Sequence, residues 1–240
     1  MQLLKLVFRR EIAMPMLALM LSSAVCLVLG FARIVYTGNI HYGFLIWNLL
    51  LAWLPLIFAL LASDNFQNRP SRNWRFYCLA GAWLLFFPNA PYIFTDIVHL
   101  TVSFYAHFWV DMVLILLCAL TGFVLGFVSL YLMQTVVTRM FGRVASWSFI
   151  AVVAALCGAG IYMGRFLRFN SWDVLFKPLE LYRGVGQWVS HPVSQPTSLA
   201  FPVLFAAFLF IAYLMLYALT HLRQAPQVAP LQKSVVLPVP

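Results

Sequence analysis

The sequence predicts an all-α integral membrane protein: one bundle of six transmembrane helices with both termini in the cytoplasm. Three observations lead there. Hydrophobic residues make up 64% of the 240 residues and charged ones 9%, where soluble domains carry about 25% charged residues. Mean hydropathy is +0.92. The apolar residues also fall into separate runs near the length of about 20 residues that a helix needs to cross a ~30 Å hydrocarbon layer.

The runs extend from Ile12 to Ile34, Phe44 to Ala62, Trp74 to Phe94, Phe108 to Met133, Val144 to Gly164 and Leu199 to His221. The first follows Lys5, Arg9 and Arg10 and reads as an uncleaved signal anchor, because Val25 spoils the lipoprotein box at Cys26 and no other cleavage site stands out. A seventh span between Arg165 and Ser198 is rejected, since that segment carries six charges and several prolines. Residues 1–222 thus form a single transmembrane domain, and 223–240 a flexible cytoplasmic tail.

Lysines and arginines set the orientation. With the N-terminus inside, the inner face carries ten basic residues against two acids, and the outer face five against four. The basic balance therefore reflects membrane orientation and contact with the lipid bilayer, including anionic inner-leaflet lipids, rather than nucleic acid. Trp47, Trp74, Trp109 and Trp147 fall near helix ends as interfacial anchors, while Trp53 and Trp83 lie deeper as packing residues. Cys26, Cys78, Cys118 and Cys157 each lie within a span and read as small apolar residues. Asn65 to Asn73 and Gln134 to Arg143 read as plain basic connections.

The third run is unusual. Phe86-Phe87-Pro88-Asn89-Ala90-Pro91 brings two prolines into a membrane helix, and each proline removes an N–H and crowds the preceding turn. Counted from Trp74 at ~1.5 Å per residue, Asn89 lies roughly 22 Å along the span, inside the bilayer. The third helix is therefore expected to break at Pro88/Pro91. Such a break either lines a cavity, which makes Asn89 a ligand-binding candidate, or dips back through a protein-covered loop.

Small residues recur four apart at Gly122 and Gly126 and at Gly160 and Gly164. That spacing allows close backbone approach, and spans four and five are expected to pack together through these faces.

The two most polar connections, after spans three and five, open on the outer side. Asp96 with His99, and His107 with Asp111, have helical spacing. Together they form a candidate divalent-metal set, and Asp96 with His99 is also the candidate catalytic pair, as base or metal ligand. Arg165 and Arg168 run against the positive-inside tendency and call for compensation. This comes from internal pairing with Asp96, Asp111 or Asp173, or from an anionic ligand such as a phosphate. Asn170, Trp172 and Asp173 complete the candidate ligand-binding set. Asn170 and Asp173 also read as the start of a helix, with Asn170 as cap, and for Asp173 that reading comes ahead of catalysis. That helix, interrupted at Pro178, is expected to lie along the outer interface between spans five and six.

Three strings resemble a known pattern: Phe86 to Asp96, Gly122 to Tyr131, and Gly164 to Asp173. Through them the chain resembles a bacterial multi-pass membrane family, domain of unknown function 1361, over approximately residues 45 to 190. The resemblance implies a bacterial inner-membrane protein; it implies no activity, substrate or cofactor. Three functions fit the residues. One is an enzyme acting on, or a protein binding, an anionic lipid or lipid-linked phosphate at the outer face. Another is a small-solute transporter using the broken third helix together with Asn48. The third is an envelope assembly subunit with a protein partner.

Overall fold

The computed structural model describes residues 13–38, 40–68, 73–102, 108–190 and 196–220. His107 and the tail after residue 222 lie outside them. Every described element is helical: α1 (Ala13–Thr37), a 3₁₀ turn (Ile40–Tyr42), α2 (Gly43–Asn68), α3 (Trp74–Phe86), α4 (Asn89–Tyr92), a 3₁₀ helix (Ile93–Val102), α5 (Phe108–Phe141), α6 (Arg143–Arg165), α7 (Asp173–Phe176), α8 (Pro178–Ser190) and α9 (Pro196–Thr220). Six stretches are long and apolar enough to cross a membrane, with α3, α4 and part of the 3₁₀ helix together making the third.

α5 is the axis of the bundle. Over its most apolar window 56% of residues are buried, against 11% for the last span. One apolar core joins α1, α2, the end of the third span and α5; a second joins α2, α3, α5, α6 and α9. Polar pins cross both. Ser22 and Thr121 hydroxyls meet at 2.6 Å, Trp53 Nε1 donates to Ser23 Oγ at 3.1 Å, and Trp83 Nε1 donates to Ser129 Oγ at 3.3 Å. The deep tryptophans thus pack and also fasten helices. Trp83 is 1% exposed and Trp74 69%. Trp83→Ala is therefore expected to cost about 3–5 kcal/mol, as large-to-small core changes do. Trp74→Ala should stay within about 0.5 kcal/mol. Thermal unfolding of the two variants in the same detergent separates them.

The segment from Gln134 is not a plain connection. α5 continues to Phe141 and then turns at Gly142, whose φ of +88° favours glycine. Gln134 is buried and accepts a 2.5 Å hydrogen bond from the Tyr213 hydroxyl of α9. A polar residue closing an apolar run can continue a helix when a neighbouring helix satisfies it.

In the third span α3 stops at Phe86, yet Phe87, Pro88 and Ile93 keep right-handed helical dihedrals. Ala90 N–H reaches Phe87 O at 3.2 Å and Tyr92 N–H reaches Pro88 O at 3.0 Å. From Ile93 the winding tightens to 3₁₀ for ten residues, well beyond the usual three or four.

The glycine stripes turn out to face this segment rather than each other. A Cβ on Gly122 would lie 2.7 Å from Ala90 O and 2.8 Å from Ile93 Cδ1; on Gly126 it would meet Ala90 Cβ at 3.1 Å. From the α6 side, a Cβ on Gly160 would lie 2.9 Å from Pro88 Cγ, and one on Gly164 would lie 3.2 Å from Tyr92 Cε2. The stretch Pro88–Ile93 is a wedge held between two glycine-lined faces. α6 approaches α9 through another glycine, Gly158, where a Cβ would lie 2.3 Å from Pro202 O.

Candidate functional site

Beyond the wedge, the 3₁₀ winding places residues three apart on one face. Asp96 and His99 therefore stack, with His99 Nε2 4.0 Å from Asp96 Oδ1. Asp96 is 1% exposed and is held from two further helices. Asn48 Nδ2 of α2 donates to Oδ2 at 2.8 Å, and Arg165 Nη1 at the end of α6 donates to Oδ1 at 3.3 Å. Arg165 also donates from Nη2 to Thr95 O at 3.0 Å and from Nη1 to the Tyr92 hydroxyl at 3.5 Å. Its guanidinium carbon lies 5.9 Å from the Tyr92 ring centroid. His99 packs on Phe44 with centroids 4.4 Å apart. A buried ion costs several kcal/mol to desolvate unless it is paired and hydrogen-bonded. Here one carboxylate gathers α2, the third span and α6 to meet that requirement.

These groups close one end of a cavity of about 740 Å³, within the size range of small-molecule sites. Its polar lining is Asn48, Asn89, Asp96, His99, Arg165, Asn170 and Ser171. Leu51, Gly81, Leu84, Leu85 and Leu156 line the rest from within the spans. Gly81, Leu84 and Leu156 are exposed at the bundle surface, so the apolar end of the cavity reaches the face that lipid covers. Phe169, Ser171, Val174 and Leu181 cover the cavity from the segment after α6, and Asn89 Nδ2 donates to Ser171 Oγ at 3.2 Å across that boundary.

The structure brings together Asn89, Asp96, His99, Arg165 and Asn170 from the expected set. Arg168 is exposed, with φ +59°, and does not line the cavity. Trp172 packs edge-on against Trp47 at 6.4 Å. Asp173 is buried, and its Oδ2 accepts the Asn170 backbone N–H at 2.7 Å. The expected capping is therefore reversed: Asp173 reaches back to Asn170, while the helix start at Trp172 has no side-chain cap.

Asp111 belongs elsewhere. It accepts from Arg33 Nε at 2.6 Å, from Arg33 Nη2 at 3.1 Å, and from the Tyr42 hydroxyl at 2.5 Å. This second buried pair ties α1 to α5 and separates Asp111 from Asp96 in the candidate metal set. Among the described residues no three His, Cys, Asp or Glu side chains gather as a metal site. Arg33 and Tyr42 were missed as partners because Arg33 stands at the end of an apolar run, where an arginine ordinarily reaches water. Ser171 was missed because the Asn170–Asp173 string reads as a helix start, in which the residue after the cap has no side-chain role. Asn48, by contrast, is the one amide in the expected second span.

A family model described as "Protein of unknown function (DUF1361)" matches residues 47–215. The match covers the stretch of the expected resemblance and extends it from about residue 190 through most of α9. No curated protein and no solved structure matches the chain.

Proposed function

The chain belongs to the DUF1361 family, and from that premise we propose that it binds, in the bilayer, one amphiphile with an anionic headgroup, a lipid or a lipid-linked phosphate. The headgroup lies at the Asp96–Arg165 end and the chain runs toward Gly81. The observation that carries this reading is the division of the cavity: its hydrogen-bonding groups converge at one end and its apolar end opens at an exposed stretch of α3 and α6. From Gly81 to Asp96 is roughly 22 Å at helical rise, a length that suits an acyl or prenyl chain lying along the span.

Arg165 carries the anion preference. A guanidinium has five N–H donors, and contacts with Asp96, Thr95 and Tyr92 leave it capacity for a phosphate oxygen. Asn89, Asn170, Ser171 and His99 surround that position with further hydrogen-bonding groups. Asp96 orients Arg165 and is itself too buried to be a first contact. If turnover accompanies binding, His99 is the better placed of the two for proton transfer, being the more exposed. The lysine and arginine distribution supports placing this end outside a bacterial inner membrane, with both termini cytoplasmic and residues 1–222 as one domain.

Native mass spectrometry on gently extracted protein tests the reading. Wild type should retain one phosphate-bearing lipid. Gly81→Leu should lose it by at least tenfold while melting at the same temperature, because a Cβ at Gly81 meets no atom within 4 Å and the side chain would fill the cavity alone. Wild type that never carries an amphiphile, even after incubation with phosphatidylglycerol, would defeat the proposal.

A further inference from the structure

We infer that the ligand is a bilayer-resident lipid taken up sideways between α3 and α6, beneath a cover, residues 166–190, whose outer face is seated in the lipid interface. The inference rests on the amphiphile reading and adds where the ligand comes from. It excludes a solute drawn from water.

The inner side of the cover is fixed at several points. Asn89 holds Ser171 at 3.2 Å, and Trp172 lies against Trp47. Within the cover itself Phe169 packs over Gly184, where a Cβ would lie 2.7 Å from its ring. At the far end Trp188 stacks on Tyr162 at 5.2 Å and donates to Ser198 O at 3.0 Å. In α8, Leu181, Gly184, Val185 and Trp188 are half-buried and follow the three-and-four spacing of the inward stripe of an amphipathic helix. Approach from the aqueous side would have to undo these contacts together.

The outer side is apolar where a water-facing helix would be polar. Leu175 is 75% exposed, Phe176 78%, Leu179 60% and Tyr182 77%. Lys177 and Arg183 stand beside them, exposed, with Glu180 between them 3.7 Å from the Lys177 ammonium. Bulky apolar side chains with flanking basic ones are the signature of a helix lying in the plane of a membrane interface. The segment joins the end of α6 to the start of α9, two spans that finish at the same end of the bundle. The bilayer surface is therefore its partner, and burying those residues in it holds the cover down. The remaining way in is lateral. Gly81, Leu84 and Leu156 lie within the spans, exposed, and a side chain added at Gly81 would enter open space.

The experiment joins cover to bundle and, separately, plugs the lateral gap. Tyr162→Cys with Trp188→Cys, the stacked pair that joins α6 to the cover outside the cavity lining, in a Cys78→Ser background that removes the exposed native thiol, is oxidised to a disulfide verified by intact mass. Oxidised and reduced samples are delipidated and reconstituted in phosphatidylcholine vesicles containing phosphatidylglycerol. Bound phosphatidylglycerol is then counted by native mass spectrometry. Oxidation should change uptake by less than twofold, and Gly81→Phe in the otherwise unaltered chain should lower it at least tenfold. Uptake abolished by oxidation, or unaffected by Gly81→Phe, would overturn lateral loading, as would displacement of the lipid by millimolar glycerol phosphate. A nitroxide at Leu179→Cys gives an independent reading of the cover. It should collide more with oxygen than with an aqueous nickel complex, and the reverse order would overturn the seated cover. Failure of wild type to take up phosphatidylglycerol would instead defeat the amphiphile reading itself.

Discussion

Arg165→Ala is expected to destabilise the protein by about 3–5 kcal/mol, the range for stripping one partner from a buried ion pair. Asp96, 1% exposed, would keep Asn48 and lose its cation. Asp96→Asn should cost less, because the amide oxygen can still accept from Asn48 and the charge is gone. The double substitution Asp96→Asn/Arg165→Ala should be closer to wild type than Arg165→Ala alone, since removing both charges removes the desolvation cost of both. A thermodynamic cycle on the four proteins in bicelles, with unfolding trapped by a bulky tag, measures the coupling. Arg168→Ala is the control: the side chain is exposed, and its loss should stay within about 0.5 kcal/mol. A coupling under about 1 kcal/mol would mean that water from the cavity screens the pair as at a surface. The double variant should nonetheless lose the bound lipid, because Arg165 supplies the headgroup contact. Stability recovered without binding would separate the two roles of Arg165.

How far the sequence alone leads is clear from particular residues. The six spans are legible because a run of about 20 apolar residues has few alternatives to a membrane helix. Their ends are not. α5 runs on to Phe141 and α1 to Thr37, because Gln134 and Arg33 find partners on neighbouring helices, and a partner across the bundle leaves no trace in local sequence. Arg165 and Asp96 could be paired from topology, as Arg165 is a basic residue on the wrong side and Asp96 an acid at the same end. Asp111 offered the same logic but was taken by Arg33. The glycine stripes announced close packing without saying against what. A flat face of Gly122 and Gly126 fits any backbone, and the one it meets is the proline-bearing turn of the third span. The capping at Asn170 was legible as a pair with Asp173 but not in its direction, since either residue can accept a backbone N–H.

That packing yields the second large effect. Gly122→Leu should destabilise the bundle by about 1–3 kcal/mol or more, the cost of forcing extra methylenes into a filled core. Even a methyl group would need Ala90 O, 2.7 Å from the new Cβ, to move. A backbone carbonyl beside Pro88 and Pro91 has little freedom to do so, because both φ angles are fixed by their rings. The displacement should travel. Ala90 sits three residues before Ile93, where the 3₁₀ helix carrying Asp96 begins, so moving it shifts the carboxylate relative to Asn48 and Arg165. Gly122→Leu should consequently lose bound lipid as well as stability, although it touches no residue of the cavity. Gly81→Leu is its mirror image, expected to lose lipid and keep stability, since nothing stands within 4 Å of the added Cβ. Melting temperature and bound lipid, measured on both variants, place them in opposite corners if the wedge positions the site. If Gly122→Leu melts early but still binds lipid once folded, the Pro88–Ile93 wedge supports the bundle and leaves the site's geometry to α2 and α6.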